Sequence, residues 1–274
     1  MAKKESKEMS FMDHLEDLRW LLVRSVLVII GIACACYFID DFIFDTIIFG
    51  PKDPSFITYR FFCEVTHYFG VDGTYACAQE FNFKIQNQEV SGQFSMYLWT
   101  LMTAGFIIGF PYILWEVWKF ISPALYEKER KMAGSFIVVS SFLFFVGVLF
   151  GYYVVAPLSI NFFATFNVSK QVENLFTIDS YVSMIKMSII ASGLVFEMPI
   201  IVYFLAKVGL VTPEFLRKYR KVAIIIILIL AAIVTPPDIP SQVIVSIPIL
   251  ILYEVSIFIA AVVVKKAKTE EQSG

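Results

Sequence analysis

Residues 222–264 read VAIIIILILAAIV, then TPPDIPSQ, then VIVSIPILILYEVSIFIAAVVV: two apolar runs around a turn-forming octapeptide, bounded by Lys221 and Lys265. The second run, 22 residues long, is enough to cross ~30 Å of hydrocarbon at ~1.5 Å per helical residue. The first, about 13 residues or ~20 Å, is short for that purpose. The segment either crosses twice or dips in and returns. Pro236-Pro237 ends one helix, and the length of the second run favours two crossings. A helix this short thins the bilayer locally or tilts its neighbours, with a loosely packed hairpin as the ordinary alternative.

Upstream the pattern repeats. Apolar runs at roughly 21–39, 94–115, 133–156 and 180–206, together with 222–235 and 242–264, make six candidate spans. Of the 274 residues 58% are apolar and 17% charged, and the mean hydropathy is +0.73. No single water-soluble core absorbs so much apolar surface, so the chain reads as one polytopic membrane domain over 1–274. A formal net charge of -2 supplies no basic patch for nucleic acid. The first run is followed by Asp40 and Asp41 instead of a small-residue cleavage site, which predicts an uncleaved first span.

Seventeen of the 22 Lys and Arg residues fall in the N-terminus and first turn of the first run (through Arg24), alternate loops and the C-terminus, against four in the opposite loops, with Lys186 alone well inside a span. Basic flanks stay cytoplasmic, so both termini are expected inside. The fold class is therefore an all-α membrane protein with six transmembrane helices, N-in and C-in.

The segment 40–93 carries eight acids and is expected to form an extracytoplasmic cap after helix 1. Within it Cys63 and Cys77 enclose Gly70, Asp72 and Gly73, turn formers whose flanks are expected to pair as a hairpin. On the oxidising side a Cys63–Cys77 disulfide is expected, worth ~3 kcal/mol for a loop of this size; two unpaired thiols are the alternative. Cys34 and Cys36 lie on nearly opposite faces of a helix and read as small apolar fillers. Gly105/Gly109 and Gly147/Gly151 have the spacing that lets spanning helices approach closely.

Ionisable residues inside spans cost at least ~2.5–3.5 kcal/mol on insertion scales, which singles out Lys186, Glu197 and Glu254. Lys186 and Glu197, 11 residues apart, share a stripe at ~16 Å and cannot pair directly. Lys186 is near enough to the extracytoplasmic end to snorkel. Glu197 lies near mid-depth, with Pro199 bending its helix and Gly193 one turn before it. Glu254 reads as a buried hydrogen-bonded partner within the bundle.

The loop after the second span sets Glu127 and Glu129 among cations beside Trp115, Trp118, Phe120 and Tyr126. A solvated, charge-balanced loop is the default reading. Carboxylates on an aromatic, partly dry surface also suit a guanidinium, which forks onto carboxylate and stacks on rings.

Four separated motifs resemble the TatC family, the polytopic core of the twin-arginine protein translocase, over nearly the whole chain. His14-Leu-Glu-Asp-Leu-Arg19 resembles its H-L-x-E-L-R first helix, with Asp17, beside Glu16, where Glu is usual. Residues Trp118 to Arg130 match W-x-F-x-x-P-x-L-x-x-x-E-R, Phe196-Glu-Met-Pro199 matches F-E-x-P, and Thr235 to Gln242 matches T-P-P-D-x-x-S-Q. The resemblance implies a concave bundle in a bacterial cytoplasmic (inner) membrane. Glu129, with Phe120, Glu127 and Asp17, would receive the paired arginines of signal peptides on folded precursors, and Arg19 would orient that surface. It implies that Glu197 faces the signal peptide's apolar stretch or a partner helix, and that Thr235, Asp238 and Gln242 belong to the docking area for single-span TatA- and TatB-type subunits in an oligomeric complex. Energy would come from the transmembrane proton gradient, and no cofactor is implied. The main alternative is a proton-coupled secondary transporter relaying through Glu197, Glu254 and Lys186, although no repeat pairs two interrupted helices. An enzyme is not expected: with only His14 and His67 there is no HExxH motif, and no Gly-rich phosphate loop is present.

Overall fold

A computed structural model describes residues 11–68, 83–122, 133–169, 171, 174–236 and 238–272. Its helices are α1 (Phe11–Cys36), α2 (Ile57–Tyr68), α3 (Gly92–Ile121), α4 (Ala133–Phe150), α5 (Ala156–Thr165), α6 (Ile178–Phe196), α7 (Met198–Lys207), α8 (Pro213–Lys218), α9 (Arg220–Val234) and α10 (Ile239–Gln272). Two three-residue strands, β1 (Lys84–Gln86) and β2 (Leu175–Thr177), pair in parallel with Ile85 opposite Phe176. Among the described residues five stretches are long and apolar enough to cross a membrane: His14–Ile39, Gly92–Ile121, Gly134–Thr165, Ile178–Lys207 and Ile239–Lys265. The one expected span missing from these five, the fifth at 222–235, corresponds to α9, 15 residues or ~22 Å long.

The chain divides into two compact units, Met1–Asp40 with Leu98–Ser141, and Asp41–Tyr97 with Phe142–Gly274. In the first, α1 and α3 meet at Gly105, where a Cβ would stand 2.5 Å from the Ile29 carbonyl oxygen. Gly109 faces Ile32 one turn further along. Trp118, buried on α3, packs its ring 4.8 Å from that of Phe136 on α4.

In the second unit Gly147 and Gly151 let α4 and its continuation lie against α6. A Cβ on Gly147 would be 2.7 Å from the Ser192 carbonyl oxygen, and one on Gly151 2.5 Å from that of Ser188. Both glycine pairs thus sit at helix crossings, as their spacing predicts. A second core gathers Val202 and Ala206 of α7, Leu216 of α8, Ile227 and Ala231 of α9, and the α10 stripe Val245, Ile249, Tyr253, Ile257 and Ala260.

The segment after α1 is wound as short 3-10 and π turns, which leave carbonyls without the ordinary helical donor. Tyrosine hydroxyls, two of them on buried rings, act as donors instead. Tyr59 donates to the carbonyls of Pro51 and Pro157, Tyr152 to that of Ile47 and Tyr181 to that of Ile48. Burial pushes the Tyr59 hydroxyl pKa well above its ordinary value. At the exposed turn beyond, the Ser55 backbone N–H donates to Asp53 Oδ1 at 2.8 Å and holds that carboxyl below the usual carboxylate range.

The expected hairpin around Cys63 is corrected here. Residues 57–68 form a helix, because Thr58 and Tyr59 bury against Tyr153, Pro51 and Pro157 while Ile57, Arg60 and Glu64 face outward at helical spacing. The strand that does follow, β1, pairs with β2 across a long sequence separation. Cys63 lies on α2, and Cys77 lies outside the described residues. Cys34 and Cys36 on α1 are free thiols.

Candidate functional site

The N-terminal turns of α1 and the C-terminal turn of α3 position the described residues expected to face a cationic ligand. The α1 N-terminal turns carry His14, Glu16, Asp17 and Arg19, all exposed. The His14 ring stacks on Phe120 near the C-terminus of α3, with centroids 4.2 Å apart and planes inclined by 22°. Residues three apart on a helix share a face and residues two apart do not, so Asp17, not Glu16, lies on the His14 side. Structure therefore joins Phe120 to the α1 surface bearing Asp17. Arg19 is on another flank of α1. Glu127 and Glu129 lie outside the described residues.

One carboxylate in this region escaped sequence reasoning. Helix α3 runs on through Ile121, past the expected end at 115, which brings Glu116 inside a spanning helix. Its side chain is only 3% exposed. Tyr112 donates its hydroxyl to Oε1 at 3.0 Å and Lys119 donates to the same oxygen at 3.3 Å. Arg24 of α1 donates through Nη1 to Oε2 at 3.4 Å. The available signal was local: Tyr112 and Lys119 flank Glu116 at i−4 and i+3, the spacing of helical neighbours. Reading the segment as loop hid it.

Glu197 occupies the break between α6 and α7. Pro199 has no N–H to donate, so the helix turns at Glu197, whose carbonyl accepts from the Ile200 and Ile201 amides at 3.0 Å. The Glu197 residue is 8% exposed and Pro199 is fully buried. Gly193 beneath it admits the Phe144 ring, 2.8 Å from where a Cβ would stand. Lys186 lies half-buried three turns away on the same helix.

Glu254 departs from expectation. It is half-exposed, not buried in the bundle, and Arg220 at the start of α9 donates to its Oε2 at 2.8 Å. Both stand about four helical turns from the α9–α10 turn, α9 going and α10 returning, so they meet at one level.

That turn is held by its own polar groups. Thr235 is buried and donates to the Ala231 carbonyl at 2.8 Å. Asp238 Oδ2 caps α10 by accepting from the Ser241 amide at 2.8 Å, and Gln242 Nε2 donates to the Leu228 carbonyl at 3.0 Å, tying α10 to α9. Asp238 Oδ1 accepts no hydrogen bond from the described residues. Among the described residues no three His, Cys, Asp or Glu side chains gather as a metal site.

Comparison with known proteins gives one consistent result. The family model "Sec-independent protein translocase protein (TatC)" matches residues 13–248. The chain is 44% identical over 264 residues to the TatC protein of Blattabacterium sp. subsp. Periplaneta americana, covering 96% of this chain and 99% of the relative. It is 34% identical to the TatC protein of Carboxydothermus hydrogenoformans, covering 98% of each. A crystal structure of the twin-arginine translocase receptor TatC aligns with a TM-score of 0.66 at 29% identity, over 90% of this chain and 97% of that one.

Proposed function

Because this chain belongs to the TatC family of Sec-independent protein translocase proteins, we propose that it is the subunit that receives twin-arginine signal peptides and recruits partner subunits for export of folded precursors. The chain is a membrane-embedded translocase component that works with other Tat subunits, and not an enzyme. The proposed orientation is six crossings of a bacterial inner membrane with both termini cytoplasmic, the basic loops inside and the 40–93 segment capping the outside. The export step would draw on the transmembrane proton gradient.

The observation that carries this reading is the α1–α3 surface. His14 and Phe120 stack, Asp17 shares that face, and α3 leads directly into the segment bearing Glu127 and Glu129. A guanidinium needs a carboxylate fork and an aromatic plane, and this surface supplies candidates for both. Asp17 and Glu129 are the proposed acceptors, Phe120 the plane, Glu127 a supporting charge and Arg19 an orienting one. Glu197, buried at the helix break, is the proposed contact for the peptide's apolar stretch or a partner helix. The turn at Thr235, Asp238 and Gln242 is the proposed dock for TatA- and TatB-type helices, and its internal hydrogen bonds support a fixed presentation of that edge.

A proton relay through Lys186, Glu197 and Glu254 is disfavoured by the ion pair that commits Glu254 to Arg220 in a half-exposed position. Photocrosslinking from position 129 tests the receptor reading: a peptide with two arginines should crosslink and its two-lysine counterpart should crosslink far less. Equal yields would refute it.

A further inference from the structure

Glu116 holds two cations at once, and its surroundings show what those cations can do. Arg24 and Lys119 share its carboxylate, which keeps their charged heads within about 9 Å of one another. Their own side chains are 50% and 44% exposed, whereas Glu116 is buried at 3%. Only Nη1 of Arg24 has a hydrogen-bond acceptor among the described residues, leaving four of the guanidinium's five N–H donors available. Lys119 likewise spends one of three donors on Glu116 while its ammonium sits 3.4 Å above the Trp115 ring.

Each cation stands four residues after a tryptophan, Trp20 before Arg24 and Trp115 before Lys119, and both tryptophans are about half exposed. Exposed tryptophans on spanning helices mark the headgroup level of a bilayer. A basic pocket between spanning helices at that level fits an acidic lipid headgroup. Charge balance agrees, since two cations less one buried carboxylate leave one positive charge for one phosphodiester. A phosphate taking a donor from each side at about 2.8 Å spans the gap. The same balance argues against a guanidinium ligand here, because a third cation would face two others across an already satisfied carboxylate.

We propose that Arg24 and Lys119, pinned by Glu116 at the seam of α1 and α3 and flanked by Trp20 and Trp115, bind the phosphate of an anionic phospholipid in the leaflet that meets the N-terminal end of α1. This site lies along the same α1–α3 seam as the His14–Phe120 stack, about one turn from Phe120 on α3 and about two turns from Asp17 on α1.

The test is native mass spectrometry of the full chain in detergent, titrated with phosphatidylglycerol or with phosphatidylcholine of the same acyl chains. Wild type should retain phosphatidylglycerol preferentially, and Arg24→Gln and Lys119→Gln should each weaken retention about fivefold. Arg24→Lys, which keeps the charge, should stay within about twofold of wild type. Glu116→Gln leaves both cations and removes their counter-charge, so retention should rise. Equal retention of the two lipids, or unchanged retention in both Gln variants, overturns the proposal. So does a Glu116→Gln loss as large as that of Arg24→Gln, which would make the trio a helix clamp only. Displacement of the lipid by millimolar inorganic phosphate would also overturn it, by showing an anion site without lipid preference.

Discussion

Replacing Gly151 with Ala tests whether the α4–α6 crossing is set by backbone contact. An added Cβ would lie 2.5 Å from the Ser188 carbonyl oxygen and 2.8 Å from the Ile189 Cα, and both neighbours are backbone atoms that cannot rotate away. Ordinary contact begins at 3.4 Å, so the helices must separate by about 0.9 Å along that line. The neighbouring close approaches at Gly147 and Gly193, where a Cβ would stand 2.7 and 2.8 Å from its nearest atom, would open with it. Overpacking of this kind costs about 1–3 kcal/mol, partly offset by the ~1 kcal/mol that Ala gains over Gly in a helix. Gly31 on α1 has nothing within 4 Å of its would-be Cβ and serves as the opposite control. Equilibrium unfolding in mixed micelles should show Gly151→Ala destabilised and Gly31→Ala unchanged or stabilised by up to ~1 kcal/mol. A Gly151→Ala protein as stable as Gly31→Ala would refute the argument that backbone contact sets this crossing.

Three further expectations follow from the same structure. Asp53 has a lowered folded-state pKa, so its hold on the Ser55 amide is complete above the unfolded value of about 3.9 and fades as pH falls through the lowered one. The amide protection factor of Ser55, corrected for intrinsic exchange, should therefore drop below about pH 4, and a constant value down to pH 2 would contradict it. Gln242→Leu removes the bond to the Leu228 carbonyl, typically ~1 kcal/mol, and should reduce co-purification of single-span partners while peptide binding persists. Undiminished co-purification would count against the turn as a dock. After thiol alkylation, electrophoresis with and without reductant should show a mobility difference that Cys63→Ser abolishes; identical mobility in the unmodified chain would remove the proposed Cys63–Cys77 bridge.

Helix placement was legible wherever bilayer thickness is the controlling length, because uncharged runs of that length have few other uses. The glycine pairs were legible for a similar reason: Gly105 and Gly151 meet backbone atoms of another helix where any side chain would collide. Pro199 likewise announced the break at Glu197. Interfacial helix was harder to read. Trp115, Glu116 and Lys119 lower the local hydropathy without ending α3, so a solvated loop and a continued helix look alike by composition. Long-range pairing left no local trace either. Nothing in Lys84 to Gln86 names Leu175 to Thr177 as its neighbour, and the register of β1 on β2 depends on packing around Phe83, Phe176 and Tyr181. Arg220 and Glu254 could have been paired by counting turns from the α9–α10 corner, but only with both helix boundaries known.

Paired guanidinium groups are recognised, in this reading, at the α1–α3 end of the chain. The most direct measurement of that recognition is the affinity of the purified chain for a signal peptide carrying two arginines against the same peptide with two lysines, repeated for Asp17→Asn and Glu129→Gln. Losing a charge-assisted fork should weaken binding roughly 10- to 150-fold, so wild type should prefer arginine strongly and both variants should lose most of that preference. Equal affinity for the two peptides, or an unchanged preference in both variants, would contradict it.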